Sequence, residues 1–422
     1  MKKTTLILFL LSFLLPLCIL AQPLTTVVPE SVGLSSQRLD RLSTTFQEYV
    51  DEEQLSGSVV LVMRKGKPAY FKAFGKSDLE QQRPMKKNAI FRIASQSKAL
   101  ISVGIMMLQE EGKLLITDPL SKYLPAFRET TVAESLSDGG YMIVEAERAI
   151  TLRDLLTHTA GIGYGYGPAS DAWAAAGIQG WYFANRDEPI QATVNRMAAL
   201  PFDAQPGERF VYGYNTDVLG AVIEVASGMP LDEFLRKRIL DPLDMQDTHF
   251  YLPPAKADRL ATVYSLNDGK LYKANADSPM QNQGAYVKGP RKSFSGGAGL
   301  LSTAEDYATF LQMMLNEGTY QGQRLLSRKT VELMTTSHLP EGVGMGTPGT
   351  GFGLGFSVLD DLGQRGTLGT EGEFAWGGAY HSEYWVDPAE ELVVVYFTQL
   401  IPANGIDDHQ KLRALIYQAI VD

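Results

Sequence analysis

Phe91-Arg92-Ile93-Ala94-Ser95-Gln96-Ser97-Lys98 runs without a break into Ala99-Leu100-Ile101-Ser102-Val103-Gly104-Ile105-Met106-Met107-Leu108-Gln109. The second half is a mostly apolar helical pattern. It stops at Glu110-Glu111-Gly112-Lys113, a polar turn with a glycine of the kind that ends helices. If Ser95 opens this helix, Lys98 follows three residues later, one turn away on the same face. Both then sit beside the positive end of a helix dipole. Burial in so apolar a setting would leave part of the amine neutral and able to accept the serine proton. Ser-x-x-Lys also arises by chance, and serine is a common helix cap, so the tetrapeptide needs support from the rest of the chain.

Met1 to Ala21 reads as a secretory signal peptide: Lys2 and Lys3, an apolar run from Leu6 to Leu20, then Ala21 before Gln22-Pro23. The run is short for a membrane span and Pro16 interrupts it. Leu17, ahead of Cys18, is not the small residue that lipid attachment prefers. Residues 22–422 are therefore expected as the mature chain, exported to the periplasm or secreted, with no membrane span of its own. Cys18 is the single cysteine and leaves with the leader, which excludes disulfides, thiol nucleophiles and cysteine metal sites. About 400 residues can build a core without cross-links. The formal charge of −10 becomes −12 once Lys2 and Lys3 are removed, a balance that disfavours nucleic acid and anionic membranes as partners.

Strand patterns gather at the two ends of the chain. Near the start, Leu39, Leu42, Phe46 and Val50 fall at helical spacing after Ser35-Ser36, and Gly57–Met63 with Ala69–Phe74 reads as a hairpin around Arg64-Lys65-Gly66-Lys67. Near the end, strands are expected at Gly353–Leu359, at Phe374–Trp385 with a kink, and at Leu392–Gln399, before a helix from His409 to Val421. Between them, helices are read at 150–161, Val218–Ala226 and Leu231–Ile239, and 126–148 reads as polar and loop-rich. The tract Gly161-Ile162-Gly163-Tyr164-Gly165-Tyr166-Gly167 is an aromatic loop suited either to a cleft or to solvent. Histidines at 158, 249, 338, 381 and 409 have no partners at metal-ligand spacing, so neither a metal nor a cofactor is expected. His158 reads as a residue that hydrogen-bonds a loop. Gly344-x-Gly346-x-x-Gly349 follows no strand and opens no helix, which removes a dinucleotide reading.

Five stretches in order carry a resemblance: Ser95-Gln96-Ser97-Lys98, Leu155-Leu156-Thr157-His158-Thr159, Tyr212 ahead of Thr216-Asp217-Val218-Leu219-Gly220, Ser295-Gly296-Gly297-Ala298-Gly299, and Trp376-Gly377-Gly378-Ala379. Together they resemble the class C β-lactamase-related serine hydrolases, a group of β-lactamases, D-peptidases and carboxylesterases, from about residue 28 to the end. The resemblance implies an α+β, β-lactamase/transpeptidase-like fold. An antiparallel sheet from both chain ends is flanked by helices, a mainly helical lobe spans roughly 100–290, and the site lies in the cleft between. It also implies Ser95 as nucleophile, Lys98 and Tyr212 as shared acid and base, and the amides of Ser95 and Ala379 as the oxyanion hole.

Two departures bear on substrate. The β-lactamases place Asn two positions after the catalytic tyrosine, where this chain has Tyr214. They also carry Lys-Thr-Gly on the oxyanion strand, where this chain has Trp376-Gly377-Gly378. Losing that cation removes a group that fixes anionic substrates. Tyr214, Trp376, Gly377 and Gly378 are thus expected to shape an esterase-like pocket for small esters or amides. A β-lactamase or a cell-wall D-peptidase acting on peptidoglycan-like substrates is the alternative, if Arg291, Lys292 or His381 restores the charge. A catalytically silent binding protein is the third reading, and intact Ser95, Lys98 and Tyr212 speak against it.

Overall fold

The computed structural model describes residues 24–137, 139–275, 278 and 284–422. The proposed leader, Met1 to Ala21, lies outside them. Among the described residues no helix is long and apolar enough to cross a membrane.

Helix α1 (Ser36–Asp51) starts where Ser35 accepts the Arg38 N–H, and its Leu39, Leu42, Phe46 and Tyr49 fall on one buried face. The hairpin of β1 (Gly57–Arg64) and β2 (Lys67–Asp78) follows, then the short β3 (Arg83–Pro84). Near the other end of the chain come β4 (Thr350–Phe352), β5 (Ser357–Leu359), β6 (Phe374–Gly378), β7 (Ser382–Asp387) and β8 (Leu392–Thr398). All eight form one antiparallel sheet in the order β4-β5-β6-β7-β8-β1-β2-β3. The two chain ends meet where β1 pairs β8, from Ser58 opposite Thr398 to Arg64 opposite Leu392.

Every residue of β1 is buried because both faces of the sheet are covered. Val60 and Val62 join Phe46, Leu412 and Ile416 in one apolar layer, while Val59 and Leu61 point to the other side and the central core. That second face is covered in part by a helix at Ala304–Leu315. In the helical lobe, α2 (Ser97–Glu110) is buried from Ser97 through Leu108 and packs on α3 (Asn215–Ser227). A helix that is apolar on all sides can only sit inside, and this one carries the start of the site into the centre of the molecule. A closing helix, α4 (Asp408–Tyr417), lies beside α1 on the outer face of the sheet.

Three local expectations change. Ser95 does not open α2 but sits just before it, in a 3-10 turn at Ala94–Gln96. Part of 126–148 forms a hairpin, Thr131–Ser135 with Tyr141–Glu145, because Val132 and Ala133 gain a buried place beside Phe202. Phe374–Trp385 is not one kinked strand but β6 and β7 joined by Ala379-Tyr380-His381, with His381 at φ +63°.

Candidate active site

Ser95 stands on a tight, strained turn. Ala94 before it has φ +43°, a left-handed conformation that costs a non-glycine residue about 1–3 kcal/mol and persists only where surroundings enforce it. They do: Ile93 N–H bonds the Leu300 carbonyl, Tyr307 OH donates to the Gln96 carbonyl, and Ser97 Oγ accepts from Leu300 N–H. The turn therefore presents a half-exposed Ser95 while its neighbours are buried.

Lys98 lies beneath it and is 2 % exposed. Its Nζ donates to the Gly297 carbonyl at 2.7 Å, Tyr164 OH at 3.2 Å and Ser95 Oγ at 3.3 Å. The backbone of Gly297 is held in turn by the buried Asp217, whose Oδ1 accepts from Gly297 N–H at 3.1 Å and Ser295 Oγ at 2.6 Å. Gly297 has to be glycine, since a Cβ would lie 2.4 Å from Asp217 Oδ2. Burial raises the Asp217 pKa, with the Ser295 hydrogen bond and the charge of Lys98 pulling the other way.

Tyr212 approaches from the loop before α3. Lys98 Nζ is 4.7 Å from its ring centre, and its OH accepts the Trp376 indole N–H at 3.0 Å. His158 supports this loop from behind. It is buried and neutral, its pKa pushed well down by burial and by Lys98, and its ring lies 4.6 Å from that of Tyr212. Its Nδ1 receives Asn215 Nδ2 and its carbonyl receives Val211 N–H. Tyr164, pushed well above the ordinary phenol range chiefly by burial, stays a neutral phenol.

Strand β6 reaches the turn at Gly378, where a Cβ would meet the Ile93 carbonyl oxygen at 2.6 Å and Ser382 Oγ at 2.5 Å. Only glycine lets β6 lie this close, and Ala379 follows at the cleft rim. Gly378→Ala is expected to lower kcat by about 10²–10³-fold by pushing Ala379 away from Ser95, a loss to be read from steady-state kinetics.

Ser95, Tyr164, Trp181, Tyr212, Trp376, Gly377 and Ala379 line one cleft of about 390 Å³. A larger groove, about 840 Å³ beside α1 and β2, brings no serine–lysine pair of this kind together, so size does not mark the site. Tyr214 is a correction. It is wholly buried, stacks on Trp173 and donates to the Gly180 carbonyl at 2.7 Å, so it shapes the helical lobe and not the substrate pocket. The helix start at Asn215 turns its ring inward. The three suggested replacement cations are also elsewhere: Arg291 bonds the carbonyls of Leu252 and Val287, Lys292 pairs with Asp187, and His381 with Asp408.

The profile of the family described as Beta-lactamase matches residues 42–418. The chain belongs to the Beta-lactamase family. Within it, the chain is 32% identical to the esterase EstB of Burkholderia gladioli, over 85% of this chain and 89% of that one. It is 29% identical to the lovastatin esterase of Penicillium rubens, over 89% and 98%. The solved structure of EstCE1, a hydrolase with promiscuous acyltransferase activity, superposes with a TM-score of 0.77 at 28% identity, covering 90% of this chain and 98% of that one. The fold is β-lactamase/transpeptidase-like, and the chain is an esterase-like serine hydrolase of the β-lactamase superfamily.

Sequence reasoning missed three parts of this Beta-lactamase-family site. Tyr164 was visible only as one tyrosine in a glycine-rich tract, and Trp181 carried no pattern at all. Asp217 stood in one of the five resembling stretches with no role attached to it.

Proposed function

We infer that Ser95 attacks the carbonyl of a small ester and that the reaction passes through an acyl-enzyme. The observation that carries this is Lys98 Nζ, placed between Ser95 Oγ and the Gly297 carbonyl at the floor of an aromatic-walled cleft. The Gly297 carbonyl can only accept, so it fixes one Nζ hydrogen and orients the rest of the amine toward Ser95 and Tyr164.

Ser95 Oγ forms the new C–O bond as its proton passes to the Lys98–Tyr212 pair. The carbonyl oxygen takes the negative charge and lies against the amides of Ser95 and Ala379. The intermediate collapses, the ester C–O bond breaks, and the alcohol leaves with the proton returned through Tyr212. Water then repeats the sequence on the acyl-enzyme, releasing the acid and restoring Ser95. Both tyrosines border the cleft, but burial holds the Tyr164 phenol well above its ordinary range so that it keeps its proton, which leaves the outer role to Tyr212.

Trapping the enzyme during turnover of p-nitrophenyl butyrate tests the proposal: mass spectrometry should find the butyryl group on the peptide containing Ser95, and a turnover-competent enzyme carrying it elsewhere refutes the assignment. Trp376→Phe keeps a ring but removes the donor to Tyr212, so kcat is expected to fall by up to about tenfold with KM little changed. Steady-state kinetics on one ester series checks this. Export, from the Lys2-Lys3 and Leu6–Leu20 pattern, is part of the same proposal. Fractionation of cells making the full chain tests it, a mature N-terminus near Gln22 being the expected product.

A further inference from the structure

Ala379-Tyr380-His381 closes the hairpin of β6 and β7, with His381 N–H bonding the Gly378 carbonyl at 3.0 Å. Three-residue turns of this kind end on a left-handed residue, for which glycine is the ordinary choice. Here the residue is His381 at φ +63°, a conformation that a side chain disfavours and that persists only where the surroundings enforce it. They enforce it through the ring, whose Nε2 lies 2.7 Å from Asp408 Oδ1 at the start of α4. A turn that had only to reverse the chain would do so more easily with glycine. On the reading that the Ala379 amide is an oxyanion donor, we propose that His381 and Asp408 are positioning residues for the hydrolase reaction, a tether from α4 that aims this amide.

The path from tether to amide is short. The Gly378 carbonyl and the Ala379 N–H belong to one planar trans peptide, so they point in opposite directions. Fixing the carbonyl on His381 N–H therefore fixes where the Ala379 N–H points, and Ala379 lines the catalytic cleft. That direction is only as firm as the hold on His381 itself.

The hold is firm because Asp408 is fixed in turn. Its side chain is fully buried, and the carboxylate takes three hydrogen bonds. His381 Nε2 and the His409 backbone N–H, at 3.0 Å, donate to Oδ1, and Tyr396 OH donates to Oδ2 at 2.5 Å. Burial pushes the Asp408 carboxyl up, but the hydrogen bonds of His381 and Tyr396 help to outweigh it, so the group sits below the ordinary carboxylate range and only accepts. The His409 ring stacks on that of His381 at 4.0 Å and 16°, which sets the plane of the imidazole. Neither His381 nor Asp408 is among the described residues that line the cleft, so both act from behind it. The turn has a second anchor, the Tyr380 carbonyl, which accepts from Leu400 N–H at 3.1 Å. Losing the tether should therefore loosen the amide without undoing the hairpin.

His381→Gly in the full chain separates aiming from turn formation, because it relieves the backbone while removing the ring. With p-nitrophenyl butyrate, kcat is expected to fall about 10–50-fold while KM stays within about twofold. Phenylboronic acid provides the second readout: its boron takes the Ser95 Oγ electron pair and places a tetrahedral oxygen where the oxyanion forms. Its affinity should fall by the same factor as kcat. Asp408→Asn keeps an oxygen for His381 but not the charge, and should lower both quantities about 3–10-fold. The double variant should be little worse than His381→Gly alone, since the pair acts as one unit. If circular dichroism shows that His381→Gly unfolds, Asp408→Asn decides by the same two readouts. Unchanged kcat and boronate affinity in His381→Gly, with Tm equal or higher, would mean the ring serves the turn alone and overturns the tether. Gly378→Ala tells that failure from another: if it weakens boronate binding and His381→Gly does not, the oxyanion role of Ala379 stands and only the tether falls. If neither variant does, the oxyanion role falls and the tether with it.

Discussion

Ser95→Ala is expected to lower kcat/KM for p-nitrophenyl esters by at least about 10⁴-fold and to end labelling by a fluorophosphonate probe. The fold should survive, because the Oγ hydrogen bond goes to Lys98, which keeps its stronger contact with the Gly297 carbonyl. The turn itself is fixed by the backbone of Ile93 and Gln96 and by Ser97, none of which changes. Persistent labelling of Ser95→Ala with an adduct on another residue would remove Ser95 from the mechanism. A double-mutant cycle goes further. Lys98 and Tyr212 serve one proton path, so Lys98→Ala and Tyr212→Phe should each cost about 10²–10⁴-fold, while the double mutant is little worse than the worse single one. Additive losses would mean two independent roles.

The readable parts of this molecule were those decided locally. Ser35 with the Leu39–Phe46 spacing defines α1, and the mostly apolar run after Lys98 reads as a helix, which the structure places inside. The β1–β2 hairpin is written in its turn residues. The pairing of β1 with β8 is different: residues more than three hundred positions apart meet there, and nothing in either strand names its partner. The resemblance supplied that pairing and the side chains did not.

The same divide runs through the site. Ser95 and Lys98 share one turn of chain, so their proximity follows from helical geometry. Tyr214 was misplaced because a position counted from Tyr212 says nothing about which way the ring faces. The chain turns into α3 there, and the ring finds Trp173 in the core. Tyr164 enters from another loop, and its reach to Lys98 depends on glycines whose conformation only the fold reveals.

Substrate choice follows from what the cleft wall lacks. Trp376 stands where the β-lactamases carry a lysine, with its indole N–H engaged by Tyr212 and its ring set edge-on against Phe352. Asn215 does not make up for Tyr214, since its amide is used on His158 and the carbonyls of Ile162 and Val211. Arg291, Lys292 and His381 all have partners away from the cleft, and the described lining residues include no cation. Lys98 remains, but it lies at the floor beneath Ser95 and is committed to three oxygen atoms. A charge-assisted hydrogen bond contributes roughly 1.5–3 kcal/mol, one to two orders of magnitude in rate when it forms in the transition state. A cephalosporin needs such a group for its carboxylate and another for its side-chain amide, and it would find neither. An aryl ester needs neither, and its good leaving group asks little of Tyr212. Hydrolysis of p-nitrophenyl acetate or butyrate is therefore expected to exceed that of nitrocefin by at least about 10²-fold in kcat/KM. Both substrates should be measured on one preparation, with Ser95→Ala as the blank. Nitrocefin turnover equal to or above that of the esters would show that a cation reaches the cleft from a direction this geometry does not provide, and would replace the esterase reading with the β-lactamase one.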